Sequence, residues 1–167
     1  MLRLAAGPSH RGAPVNSTLG LMTSLRQRLV DVALEWERVF GTAPQVTSAL
    51  SEFDAAQLVG MTEAEYSNAM QGSTAVQRGL DFRFRGLRYQ VKATRPSGKP
   101  GSRITKVPSA TNYDWDVLIW VCYDIKYVIQ EAWAWSVSDY RAAFEHVARL
   151  SPEHMRRGRS LLHRNEA

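Results

Sequence analysis

Leu25, Leu29, Val32, Ala33, Trp36 and Phe40 recur at intervals of three and four, the spacing of one face of an α-helix, and Gly41 ends the run. The pattern predicts a helix over 23–40. A second helical stretch carries Leu50, Phe53, Ala56 and Leu58 to about Val59, with Gly60 as terminator and Thr47 or Ser48 as the expected N-cap. Thr62 followed three residues later by Glu65 has the form of a capping box, so a short third helix through about Met70 is expected.

After Gly72 the period changes from 3.6 to two. Residues 80–85 and 87–93 alternate apolar and polar on either side of Gly86, which reads as a β-hairpin. Residues 94–112 hold Pro96, Gly98, Pro100, Gly101 and Pro108 and predict a loop, with one short extended piece at 103–107. The unbroken apolar run over 117–123 suits a central strand buried on both faces, and 126–135 returns as its antiparallel neighbour after a turn at Asp124. Tyr140, Ala143, Phe144 and Val147 mark an amphipathic helix from Ser138 or Asp139 to about Leu150. Ser151-Pro152 then opens a last helix ending near Gly158. Helices, four or five strands, then helices imply an α/β (α+β) fold: a mixed sheet flanked by helices. Residues 1–22 show no periodicity and read as a flexible leader with Met22 an alternative start, leaving 23–167 as a single domain.

Length and charge narrow the class. A chain of 167 residues suits one ordinary domain, and 21 Lys and Arg against 16 Asp and Glu give a net charge of +5 that favours an acidic polymer as partner. The single cysteine, Cys122, cannot form an intramolecular disulfide. No apolar run approaches the roughly 20 residues of a membrane span, so a soluble cytoplasmic protein is expected. His10, His146, His154 and His163 lack partners at ligand spacing, which argues against zinc. Trp115, Trp120, Trp133 and Trp135 read as core residues.

The hairpin carries the chemistry. With Arg85 and Gly86 at its tip, Asp81 lies opposite Gln90, while Gln90 and Lys92, two apart, project from the same face. A carboxylate, an amide oxygen and an ammonium thus gather on one side of the sheet. Asp81, Gln90 and the backbone carbonyl of Val91 supply oxygen ligands for a hard cation such as Mg²⁺, with Mn²⁺ as a substitute. Lys92 beside them would orient or deprotonate an attacking water, or neutralise charge growing on a phosphodiester.

Gly79-x-Asp81 followed by Gln90-x-Lys92 resembles the catalytic motif of the PD-(D/E)xK nuclease superfamily, in the Gln-x-Lys form of Mrr-like restriction endonucleases. The resemblance covers about residues 45–135. It implies a restriction endonuclease-like fold and Mg²⁺-dependent cleavage of DNA phosphodiesters. Glu52 is similar to the family's glutamate on the helix ahead of the motif strands, which implies a catalytic or metal-holding role for Glu52 beside Asp81, Gln90 and Lys92.

Around this motif the cations Arg78, Arg83, Arg85 and Arg88 crowd the hairpin, and Arg95, Lys99, Arg103 and Lys106 follow it in the loop. Such clustering is expected to meet DNA phosphates. A cut across both strands needs two active sites, hence a homodimer. The competing expectation is a catalytically inactive nucleic-acid-binding module of the same fold in a defence or repair complex.

Overall fold

The computed structural model describes residues 17–72 and 80–162. Most of the expected leader, residues 1–16, lies outside them. The fold is α+β. Three helices, α1 (Ser17–Phe40), α2 (Thr47–Leu58) and α3 (Glu63–Gln71), precede four strands, β1 (Phe82–Phe84), β2 (Leu87–Thr94), β3 (Val117–Tyr123) and β4 (Ile129–Ser136). Helices α4 (Val137–Phe144) and α5 (Pro152–Met155) and a two-residue strand β5 (Arg159–Ser160) follow. The five strands form one mixed sheet in chain order, with β2 and β3 parallel and the other neighbours antiparallel.

The expected central strand is β3. Its residues Leu118, Ile119, Trp120 and Val121 are buried because both sheet faces are covered. On one face Ile119 and Val121 join Tyr89, Val91, Phe82, Phe84 and the α1–α2 residues Val30, Ala33, Leu50 and Ala55. On the other, Leu118 and Trp120 join Trp115, Trp135, Tyr140, Phe144, Val107 and Leu150. The tryptophans Trp115, Trp120 and Trp135 are therefore core, as their strand context predicts. Among the described residues no helix is long and apolar enough to cross a membrane.

Local physics explains most boundaries. Thr62 accepts from the Glu65 amide while the Glu65 carboxylate accepts from the Thr62 amide at 2.8 Å, so the capping box forms as expected. Helix α2 differs. Its N-cap is Val46 with no side-chain cap bond, because a turn closed by the Val46 amide on the Pro44 carbonyl delivers the chain directly into Thr47. Helix α1 starts at Ser17, inside the expected leader. Helix α4 is capped by Ser136 and stops at Phe144, well short of Leu150, because Leu150 is drawn into a backbone bridge with Val107. That bridge is what becomes of the extended piece expected at 103–107. Strand β4 starts at Ile129, since Asp124 Oδ1 holds the Lys126 and Val128 amides in the preceding turn. Strand β5 is unheralded in the sequence. Its backbone reaches β4 only because Gly158 has no side chain: a Cβ there would lie 2.4 Å from Trp135 Nε1.

The parallel β2–β3 pair is joined by a loop with no crossover helix. Its register is clasped at one end. The Arg88 amide and guanidinium donate to the Asp116 carboxylate at 2.8–3.0 Å, while the Asp116 amide donates to the Arg88 carbonyl. Paired with that guanidinium, Asp116 is held at about 2, well below the usual carboxylate range.

Candidate metal centre

Arg85 and Gly86 both have positive φ, 49° and 79°, the signature of a two-residue mirror-image turn that matches strand twist. This turn sets Phe82 opposite Tyr89 and Arg83 opposite Arg88. One step further, the Asp81 amide still donates to the Tyr89 carbonyl at 2.8 Å, but β1 has ended. The Asp81 side chain takes over the ladder: Oδ2 accepts from the Val91 amide at 2.5 Å and from Gln90 Nε2 at 2.6 Å. In extended backbone the N–H and C=O of one residue point to the same edge, so the Val91 carbonyl faces the side where Asp81 sits.

The alternation along β2 sends Tyr89 and Val91 into the core shared with α1 and α2. Gln90 and Lys92 take the opposite face, opposite Leu118 and Trp120 on β3. Gln90 is buried and Lys92 half-buried. Helix α2 packs across β1 and β2 and carries a half-buried Glu52 into the field of Asp81. Asp81 is the hub: Gln90 bonds it, and Lys92 and Glu52 each act on its charge, drawn from two elements, β2 and α2, and the segment just before β1.

The electrostatics are those of acids held partly out of water. Burial, then the negative charge of Asp81, raises the Glu52 carboxyl from its ordinary 4.5 to about 7. Burial also lifts Asp81, against the opposing pull of the Val91 amide, the Gln90 amide and the Lys92 ammonium. Tyr66, which the sequence patterns do not single out, belongs to the same neighbourhood. It sits on α3 with its ring edge-on to Phe53, and burial plus the charges of Glu52 and Asp81 push its hydroxyl up to about 12. The Thr62 capping box fixes the start of α3 and hence the placing of Tyr66; only the tertiary contact reveals its neighbours.

Two carboxylates, an amide oxygen and a backbone carbonyl form an all-oxygen donor set, which fits a hard divalent cation that keeps some of its water. Gln90 Nε2 and Asp81 Oδ2 are 2.6 Å apart, near the edge of about 3.0 Å between neighbouring oxygens of an octahedron with bonds of about 2.1 Å. Turning the Gln90 amide over would offer its oxygen and the Asp81 carboxylate to one ion. With Gln90 neutral the set carries two anionic groups, and among the described residues no three His, Cys, Asp or Glu side chains converge as a metal cluster.

The predicted phosphate contacts divide. Arg83 and Arg85 are exposed on the hairpin, and Lys99, Arg103 and Lys106 are exposed on the loop. Arg88 is committed to Asp116. Arg95 is turned inward: its guanidinium pairs with Glu37 at 2.6 Å, bonds the Ile125 carbonyl and lies 4.3 Å over the Tyr127 ring. With only 6% of its side chain exposed, Arg95 serves the fold and does not present its charge to a ligand. Arg78 and Gly79 lie outside the described residues. Cys122 sits half-buried on β3, and burial pushes its thiol up, away from nucleophilic use.

Beside the site runs a groove of about 1750 Å³ between α1, the start of α2 and the loop after β2. Ala93 and Thr94, the residues following Lys92, form part of its wall, together with Arg38, Lys99, Arg103, Lys106 and Lys126. The chain matches no protein-family model, and no curated protein sequence matches it.

Proposed function

We propose that this protein is a Mg²⁺-dependent endodeoxyribonuclease of the PD-(D/E)xK, Mrr-like kind. The observation that carries the reading is the Asp81 carboxylate seated between the Gln90 and Val91 amides, where β1 gives out, with Glu52 and Lys92 alongside. Asp81, Gln90, the Val91 carbonyl and Glu52 are the residues that would hold the ion. When bound, the ion supplies a polarised water and a counter-charge for the phosphate. Lys92 contributes a cation on the same face as Gln90, and among the described residues it is tied up in no ion pair. It orients the water or meets the negative charge that grows on the phosphodiester oxygens. Gln90 and the Val91 amide keep Asp81 from swinging away.

Duplex DNA would run along the groove beside β2, its phosphates met by the exposed cations of the loop. The replacement of Lys99, Arg103 and Lys106 together by alanine is expected to weaken binding evenly across DNA sequences. It should also flatten the slope of log affinity against log salt by about 2–3. Fluorescence anisotropy across a salt series measures both effects, and an unchanged slope would remove the loop from the contact.

The deciding experiment is incubation of supercoiled plasmid with the protein in Mg²⁺, in EDTA, and with Lys92→Ala. Nicking in Mg²⁺ that EDTA and the substitution both abolish supports the nuclease; cutting that survives Lys92→Ala overturns it. The neutral Gln90 in a position suited to an acid favours a second reading, a module that binds DNA without cutting it. That reading predicts anisotropy changes with no metal-dependent product.

A further inference from the structure

The turn from β3 to β4 is built against the usual turn chemistry. Ile125, Lys126 and Tyr127 form a three-residue hairpin loop, closed by the Tyr127 amide on the Asp124 carbonyl at 3.2 Å and the Asp124 amide on the Val128 carbonyl at 2.9 Å. The last loop residue has φ 60°, in the left-handed region where glycine is usual, and here it is a tyrosine. The strained backbone is held from beneath. Arg95 lies 4.3 Å over the buried Tyr127 ring and donates to the Ile125 carbonyl, while Arg26 donates to the Tyr127 carbonyl at 3.3 Å. Asp124 Oδ1 accepts from the Lys126 and Val128 amides. Strain over-determined by this many contacts fixes the crest of the turn in one conformation.

That crest is apolar where water would favour a polar residue. Ile125 is 48% exposed with Lys126 exposed beside it, and both form part of the wall of the groove between α1, the start of α2 and the loop after β2. Of the large aliphatic residues in that wall, Leu34 and Ile104 are half-buried and Ile125 alone is exposed. A phosphate gains nothing from an isoleucine. A base stack does: apolar side chains that reach into a duplex partly unstack a step and kink it, while neighbouring cations hold the backbone on either side.

We propose that the β3–β4 turn is a wedge: Ile125 pries open a base step of the bound duplex while Lys126 holds a flanking phosphate, so that the protein favours DNA that kinks easily. The wedge rests on DNA lying in this groove and not on its being cut. A crest already fixed loses little conformational entropy on insertion, so more of the contact survives as affinity. Its position also suits. Lys92 pairs with Trp120, five residues before Ile125, so the wedge lies no more than about 17 Å along the sheet from the level of Lys92. At about 3.4 Å per base pair that is roughly five base pairs, and one duplex reaches both places.

Fluorescence anisotropy competition in EDTA, with no metal to support cleavage, compares a fully paired duplex with the same duplex carrying a central mismatch. The wild type is expected to bind the mismatched duplex at least about tenfold more tightly, because part of the unstacking is already done. Ile125→Ser should erase that preference while holding the paired duplex within about threefold, and Ile125→Leu should keep it. Val128→Ser, on the same turn and similarly exposed but not part of the groove wall, should leave it unchanged. Equal affinity of the wild type for the two duplexes overturns the wedge, whatever the plasmid assay shows of cleavage. So does a preference that survives Ile125→Ser, or one that Val128→Ser also removes. Failure to bind either duplex overturns the wedge together with DNA as the occupant of the groove.

Discussion

Asp81→Asn is expected to lower Mg²⁺-dependent plasmid nicking by at least about 10²–10³-fold while leaving the fold intact. Asparagine keeps one carbonyl oxygen, which can accept from both the Val91 amide and Gln90 Nε2 in place of Oδ2, so stability should stay within about 1 kcal/mol. What disappears is the anionic charge. Binding of DNA without metal should hold or tighten, since a negative group has left a surface that approaches phosphate. Asp81→Ala is the less clean variant: it orphans the Val91 amide and should cost about 1–3 kcal/mol besides. Thermal melts and anisotropy run beside the nicking assay separate these effects, and Asp81→Asn protein that cuts at nearly the wild-type rate would refute the assignment.

Glu52→Gln should stabilise the protein by an amount that grows as pH rises from about 4.5 to 7 and stays constant above. The folded-state carboxyl ionises near 7 and the unfolded one near 4.5, so between those values the folded chain binds more protons. Stability contributed by this group is therefore full below about 4.5 and is lost as pH rises through 7. At pH 8 the wild type carries a charge that its surroundings disfavour. Discounted for partial exposure, removing that charge is worth about 1–2 kcal/mol, or roughly 2–4 °C in melting temperature for a domain of this size. At pH 4 the two proteins should melt nearly together, because Glu52 is then largely protonated in both the folded and the unfolded chain and resembles glutamine. Millimolar Mg²⁺ should narrow the gap at pH 8, since a cation beside Glu52 relieves the same charge. Melting curves that run parallel from pH 5 to pH 8 would show that Glu52 is solvated and outside the cluster.

The hairpin is legible from sequence because its determinants are local: strict alternation and an Arg-Gly tip fix which side chains meet, and Asp81 does face Gln90. The capping box at Thr62 is legible for the same reason. Helix α1 is legible as a helix but not in its orientation. Periodicity alone assigns Leu25, Val32, Trp36 and Phe40 to the apolar side, whereas the structure turns Arg26 and Glu37 inward. Their partners, Asp54 and Arg95, stand 28 and 58 residues away, beyond any periodic pattern. Arg95 itself looks like one more cation in a basic loop until Glu37 and Tyr127 are seen around it. Tyr66 is hidden likewise, its relation to Glu52 arising from the packing of α3 near α2. Strand β5 is too short to carry a periodic signal, and depends on a glycine passing a tryptophan.

The loop between β2 and β3 is moored at both ends, by Arg95 and the Gly98 amide to Glu37 of α1, and by Val107 to Leu150. Between them Lys99, Arg103 and Lys106 are left exposed on a span held at both ends. A tether of that kind lowers the entropy lost when a ligand immobilises the segment, so more of the attraction survives as affinity. Because one mooring is on α1, loosening it would slacken the cationic span without touching a single one of its charges.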